Sequence, residues 1–241
     1  MEKHLSRDAF AEAIGTFMLV LVGAGAGAVI PDSNPAKIAI VALAHGLILV
    51  GIIYTYGHLS GAHVNPAVTL GLLAGGYIKV TRAVYYWFAQ LIGAVLAAAF
   101  IKLFIPVDAA GAVLASVGET KGSLTGAYLP NALALEFIMT FFLVSVVIQA
   151  AAHGKAGFVA GLGIGLLLAA NILFAGTLTG ASLNPARTFG PALVNSGLFT
   201  YGLPYMIAIL LGGGAAGYIQ SAFFPNSQEP TTGHDRPSKK R

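Results

Sequence analysis

Gly61-Ala62-His63-Val64-Asn65-Pro66-Ala67-Val68-Thr69-Leu70-Gly71 and Gly180-Ala181-Ser182-Leu183-Asn184-Pro185-Ala186-Arg187-Thr188-Phe189-Gly190 are one eleven-residue text written twice. In each copy Asn-Pro opens a short apolar run. Asn suits the N-cap of a helix, and Pro suits the first helical position, where its missing N–H costs nothing. The reading is a half-helix at about 66–75 and another at about 185–195, each too short to cross a bilayer alone. A helix N-terminus carries unpaired N–H groups and about half a positive charge. Two such ends brought face to face make a point hostile to cations, as a channel selectivity element requires.

The composition says where such a device works. Of 241 residues, 56% are hydrophobic and only 9% charged, against about 25% charged in soluble domains, and the mean hydropathy is +0.80. Apolar runs lie near 9–30, 38–57, 83–105, 131–151, 156–175 and 201–222, and roughly 20 residues carry a helix across about 30 Å of hydrocarbon. Six spans are therefore expected, in an all-α integral membrane protein. The 31 glycines recur inside these runs, as at Gly23-Ala24-Gly25-Ala26-Gly27, at Gly161, Gly163 and Gly165, and at Gly212-Gly213-Gly214. Small residues let membrane helices approach closely, and packing is the reading given to them. The first run is longer than a signal-peptide core, contains Glu12 and lacks a cleavage site, so it reads as a retained span. With no cysteine, disulfides and thiol chemistry are excluded. The six histidines are scattered and the nine acids far apart. No catalytic triad, phosphate loop or metal cluster is read, and neither an enzymatic activity nor a cofactor is expected.

A net charge of +4 does not point to nucleic acid, because its distribution follows membrane topology. Six crossings put both termini on one side, with the loops at 76–82 and 151–155. That side collects Lys3, Arg7, Lys79, Arg82, Lys155, Arg236, Lys239, Lys240 and Arg241, while the other holds Lys37, Lys102 and Lys121. Basic residues mark the cytoplasmic side, so both termini are expected there. The tail 223–241 is polar and reads as disordered and cytoplasmic.

The chain is also an internal repeat. Glu12-Ala13-Ile14-Gly15-Thr16-Phe17 in the first span matches Glu136-Phe137-Ile138-Met139-Thr140-Phe141 in the fourth, and each precedes an Asn-Pro-Ala segment. One channel domain, 1–222, is expected from two halves of about 8–105 and 131–222. Three spans per half is an odd number, so the halves are inserted upside down relative to each other. Inverted repeats place a shared site near the bilayer midplane, formed by half-helices whose N-termini point inward. Their irregular backbone is tolerated because it lines a wet cavity.

Ser60-Gly61-Ala62-His63-Val64-Asn65-Pro66-Ala67-Val68-Thr69, Ala89-Gln90-x-x-Gly93-Ala94 and Thr179-Gly180-x-x-x-Asn184-Pro185-Ala186-Arg187-Thr188-Phe189-Gly190 together resemble the major intrinsic protein family, the aquaporins and glycerol facilitators, over residues 8–222. The tripeptide alone is not specific. Asn34-Pro35-Ala36 is a third copy without the preceding Ser/Thr-Gly-Ala, and it reads as the cap of span two. The resemblance implies a homotetramer with one pore per subunit, passing water or small neutral solutes down their own gradients. It implies that Asn65 and Asn184, beside Pro66, Ala67, Pro185 and Ala186, each offer an amide N–H to the permeant oxygen. Simple N-capping is the alternative reading of both asparagines. The two readings are compatible, since a capping oxygen leaves the amide nitrogen available. Opposed half-helix dipoles as a barrier to protons are the accepted account for aquaporin-type pores in general, not a result of this sequence.

Arg187 is the costly residue. A guanidinium at membrane depth is penalised by at least about 2.5–3.5 kcal/mol unless it faces water or partners, so it is expected to line the pore. The resemblance adds His45, Ile172 and Ala181 as the other members of an outer constriction, Ala181 partly through its carbonyl. This quartet is neither the usual ring of strict water channels nor that of glycerol facilitators; it resembles that of plant vacuolar-membrane aquaporins. Thr188, Ala192 and Tyr205 favour the water-channel branch, while Met206 departs from it. Glu12 and Glu136 read as scaffolds for the irregular loops, with a proton relay as the alternative. Gln90 reads as structural, and His63 as lining the cytoplasmic vestibule. The functional expectation is a passive channel for water that leaks ammonia or another small neutral solute and excludes ions. A glycerol-type facilitator, a secondary transporter and a structural junction protein are the other readings.

Overall fold

The computed structural model describes residues 4–104 and 117–226. Among these residues the chain is helical, with no strand. Six helices are long and apolar enough to cross a membrane: α1 (Leu5–Val29), α2 (Lys37–Ser60), α4 (Val80–Phe104), α5 (Gly126–Ala152), α6 (Gly157–Thr179) and α8 (Leu198–Phe223). Between them lie two short helices, α3 (Pro66–Ala74) and α7 (Pro185–Val194), each with its Pro in the first turn and Asn as N-cap. Helix α1 runs through a π-helical turn at Val20–Ala24. The tail beyond Asn226, with Arg236, Lys239, Lys240 and Arg241, lies outside the described residues, as does Lys3.

The third Asn-Pro-Ala behaves differently from the expectation of a cap on span two. Helix α2 starts at Lys37 with Ala36 as its N-cap and no side-chain cap bond. Asn34 instead closes the preceding turn: its Oδ1 accepts from the Ala36 N–H at 2.9 Å and its carbonyl from the Lys37 N–H at 3.0 Å. Pro35 therefore lies before the helix, and no half-helix begins there.

The packing follows the repeat. Helix α1 packs on α4 and its counterpart α5 on α8, while α2 and α6 cross each other at the centre. Each half-helix rests on the third span of the opposite half, α3 on α8 and α7 on α4, so neither half closes without the other. The α2–α6 crossing needs glycine on both sides. A methyl on Gly46 would lie 2.6 Å from the Gly165 carbonyl oxygen, and one on Gly165 would lie 2.5 Å from that of Gly46. Outward faces are apolar: Leu47, Phe88, Leu96, Leu103, Ile207 and Leu211 are all more than half exposed. In water such a belt is an aggregation surface; in lipid it is the required coat. The protein is an integral membrane protein.

Candidate functional site

Each half-helix is fed by a short loop whose backbone no ordinary turn supplies. Helix α2 ends at Gly61 and α6 at Gly180, both left-handed, with φ of 92° and 89°. Next come Ala62 and Val64 in one loop, and Ala181 and Leu183 in the other, all at positive φ between 41° and 53°. A β-branched residue there is a genuine outlier, and such residues cost about 1–3 kcal/mol each unless the surroundings over-determine them. Two buried glutamates do so. Glu12 Oε1 accepts from Ser60 Oγ–H at 2.7 Å and the His63 N–H at 2.9 Å; its Oε2 accepts from the Val64 N–H at 2.6 Å and Gln90 Nε2–H at 2.8 Å. Glu136 repeats the pattern, Oε1 accepting from Thr179 Oγ–H and the Ser182 N–H, and Oε2 from the Leu183 N–H, at 2.7, 3.0 and 2.9 Å. The carboxylates thus sit in scaffolds built of loop donors. Gln90 joins the first scaffold and also donates to Thr69 Oγ1 at 3.0 Å.

The two asparagines are held more tightly than N-capping alone would hold them. Asn65 Oδ1 accepts from the Ala67 N–H at 2.9 Å, and Asn184 Oδ1 from those of Ala186 and Arg187 at 3.0 and 3.2 Å. Each amide nitrogen then donates across the centre of the molecule, Asn65 to the Leu183 carbonyl and Asn184 to the Val64 carbonyl, both at 2.8 Å. The expectation that capping leaves the whole –NH₂ available is therefore corrected: one N–H of each amide stitches the two loops together. The second is not used in these bonds, and both asparagines border one central cavity.

That cavity is small, about 60 Å³, room for a few waters at about 10–15 Å³ each. Besides the asparagines, His45, His63 and Arg187 border it. His45 donates Nδ1–H to the Val41 carbonyl at 2.9 Å. A carbonyl only accepts, so Nε2 is the acceptor nitrogen, and it is buried without a protein partner. Arg187 Nη1 donates to the Gly118 carbonyl and to Thr120 Oγ1, both at 2.7 Å, while Nε has no protein partner. Arg187 also borders a second cavity of about 690 Å³, the vestibule at the end away from Leu5, where Ile172 lies. Two ion pairs stand at that mouth, Lys37–Asp32 at 2.7 Å and Lys121–Glu119 at 2.8 Å. Lys37 holds the Asp32 carboxyl below its ordinary range by hydrogen bond and by charge.

The sequence-derived quartet is thus placed unevenly. His45 and Arg187 face the central cavity, and Ile172 and Arg187 face the vestibule. The Ala181 side chain borders neither cavity: its loop is turned inward and its N–H is bound to Thr179 Oγ at 2.9 Å. His63 borders both the central cavity and the other mouth. Gln90 supplies the hydrogen for Thr69 Oγ1, so the threonine hydroxyl is free to donate to His63 Nδ1, 3.0 Å away. Sequence reading missed Gly118 and Thr120. No local pattern marks them, because they matter only once segment 117–125 folds back on the end of α6, where Leu124 N–H donates to the Leu178 carbonyl at 3.0 Å.

The family model described as major intrinsic protein matches residues 1–220. The chain is 37% identical to aquaporin TIP1-2 of Zea mays over 243 residues, covering 95% of this chain and 92% of the relative. It belongs to the major intrinsic protein family. Aquaporin TIP2-1 of Arabidopsis thaliana is 39% identical over 238 residues, covering 92% of this chain and 89% of that one. Among solved structures, the aquaglyceroporin of Plasmodium falciparum superposes with a TM-score of 0.79 over 91% of this chain and 96% of its own. At 24% identity that likeness speaks for the shared fold. The relatives named above are aquaporins, channels rather than enzymes.

Proposed function

We propose that the chain is a passive channel for water that leaks ammonia or another small neutral solute and excludes protons and ions. The observation that carries this reading is the meeting of two half-helix N-termini, with Asn65 and Asn184 bordering one cavity and each amide already bonded across the midplane. An oxygen arriving there is offered N–H donors from both sides and no carboxylate. A cation would meet two positive helix ends and then Arg187. The relatives named aquaporin support water as the permeant. In this reading His45, Ile172 and Arg187 form the outer constriction, joined by Ala181 through its carbonyl rather than its side chain; Glu12, Glu136 and Gln90 serve as scaffold, and His63 serves the cytoplasmic vestibule. Both termini face the cytoplasm, and the subunit assembles as a homotetramer.

The test is an osmotic step on proteoliposomes. Rapid shrinkage with a low activation energy, needing no ion gradient, is the expected result, with a measurable ammonia flux and weak glycerol flux. Glycerol flux matching that of water would favour the glycerol-type reading. Shrinkage no faster than in empty vesicles would refute the channel.

A further inference from the structure

We infer that Gly23 sets how far the His45 ring reaches into the channel, and so helps to fix which neutral solutes pass. This rests on the proposed role of His45 in the constriction. Gly23 lies in the π-helical turn Val20–Ala24 of α1, a distortion often found at functional positions. A methyl built on it would lie 2.6 Å from both Cγ and Nε2 of His45, and nearer still to Cδ2. An edge-on approach to Cδ2 would leave its two ring neighbours much farther away than this, so the methyl sits over the face of the ring. The imidazole therefore lies flat against the bare backbone of α1.

The ring has one direction in which to yield. Its Nδ1–H is tied to the Val41 carbonyl at 2.9 Å, it is only 3% exposed, and its open side is the central cavity it shares with Arg187. Restoring ordinary contact, which begins at 3.4 Å, moves the ring by at least about 0.8 Å, since Cγ and Nε2 start at 2.6 Å and Cδ2 closer. A water molecule is about 2.8 Å across, so a shift of that size takes more than about a quarter of one water's width out of a cavity of about 60 Å³.

Two comparisons within the chain single out this glycine. Helix packing, the general reading of Gly23-Ala24-Gly25-Ala26-Gly27, does not separate its members, but the contacts do. A methyl on Gly25 would meet Ile101 at 3.6 Å and one on Gly27 would meet Val41 at 3.9 Å, both ordinary distances. The repeat supplies the second comparison. Glu136 follows Glu12 by 124 positions, which puts Val147 in register with Gly23; Asn184 follows Asn65 by 119, which puts Ile164 in register with His45. Val147 and Ile164 both border the cavity. Where the second half has an aliphatic residue in place of the ring, it also has a side chain in place of the glycine.

The experiment compares Gly23→Ala, Gly25→Ala and Gly27→Ala in proteoliposomes, with assembly checked by size-exclusion chromatography. Water permeability per reconstituted protein should fall at least fivefold in Gly23→Ala, glycerol flux should fall further than water, and the other two variants should stay within twofold of wild type. In a His45→Ala background the same alanine at 23 should change water flux less than twofold, because the ring it displaces is gone. A Gly23→Ala channel with wild-type flux and solute ratios would overturn the inference. So would an equal loss in the His45→Ala background, which would make the effect one of helix packing. A wild-type protein without water flux refutes the channel reading itself, whereas an inert Gly23→Ala in a conducting wild type refutes only the role of Gly23.

Discussion

Glu12→Gln is nearly isosteric, yet it should damage the fold near the channel centre more than most substitutions of greater bulk. Glu12 Oε1 and Oε2 each receive two donors: Ser60 Oγ–H and the His63 N–H on one, the Val64 N–H and Gln90 Nε2–H on the other. Glutamine turns one of these oxygens into an N–H donor. Placed toward Gln90 it would face two donors; placed toward Ser60 it faces only the His63 N–H, because the serine hydroxyl can turn and accept from it. A hydrogen bond to a charged group contributes about 1.5–3 kcal/mol, and buried donors left unpaired cost about as much. Losing one bond then costs about 1.5–3 kcal/mol, in a loop whose Val64 holds a φ of 43°. For a chain of this size each kcal/mol lowers Tm by roughly 2–4 °C, so a fall of at least about 3 °C is expected in detergent, with reduced water flux per folded protein. Glu136→Gln supplies the internal comparison. Glu136 Oε2 receives a single donor, the Leu183 N–H, so the glutamine can likewise orient to lose one bond and cost about as much. Thermal unfolding of both variants side by side tests the parallel. A Tm for Glu12→Gln within about 1 °C of wild type, or a loss in one variant more than twice that in the other, would refute the scaffold argument.

Three further outcomes follow from the same geometry. Asn65→Asp with Asn184→Asp replaces the two midplane donors by carboxylate oxygens facing the Leu183 and Val64 carbonyls; cation leak measured by pH-gradient decay should rise, and an unchanged decay rate would remove the asparagines from the barrier. Ile172→His adds a polar wall beside Arg187 at the vestibule and should lower the ammonia-to-water permeability ratio several-fold, whereas an equal ratio would place selectivity elsewhere in the pore. At the other end, Tyr77 O–H donates to His153 Nε2 at 2.6 Å, and burial, with Lys155, holds the His153 pKa below its ordinary value. A folded-state pKa below the unfolded one of about 6.5 gives stability that is present above that pH and is lost as pH falls from it toward the folded value. The decline in Tm on acidification below about pH 6.5 should therefore be shallower in His153→Gln, and parallel curves would refute the linkage.

The architecture was legible because its determinants are local. Six apolar runs long enough to span lipid became the six spanning helices, their ends displaced by a few residues. Asn-Pro before an apolar run became a half-helix at Pro66 and again at Pro185, since a cap and a preset φ act within one turn of chain. The same logic misplaced Asn34, where a turn had already used its carbonyl and its side chain. The tripeptide thus accompanies both half-helices but does not suffice to make one.

Hydropathy, cap chemistry and the repeated text were enough to determine, from the sequence alone, an inverted pair of membrane-spanning halves with two half-helices. Tertiary structure decided what happens where the halves meet. Asn65 bonds to Leu183 and Asn184 to Val64, Arg187 is fixed by Gly118 and Thr120, and the His45 ring lies against Gly23. These partners come from distant parts of the chain, and their pairing depends on how helices cross, which no local spacing encodes. Periodicity and capping are properties of a segment and its solvent. The aperture of a channel is a property of side chains that meet only after every segment is in place.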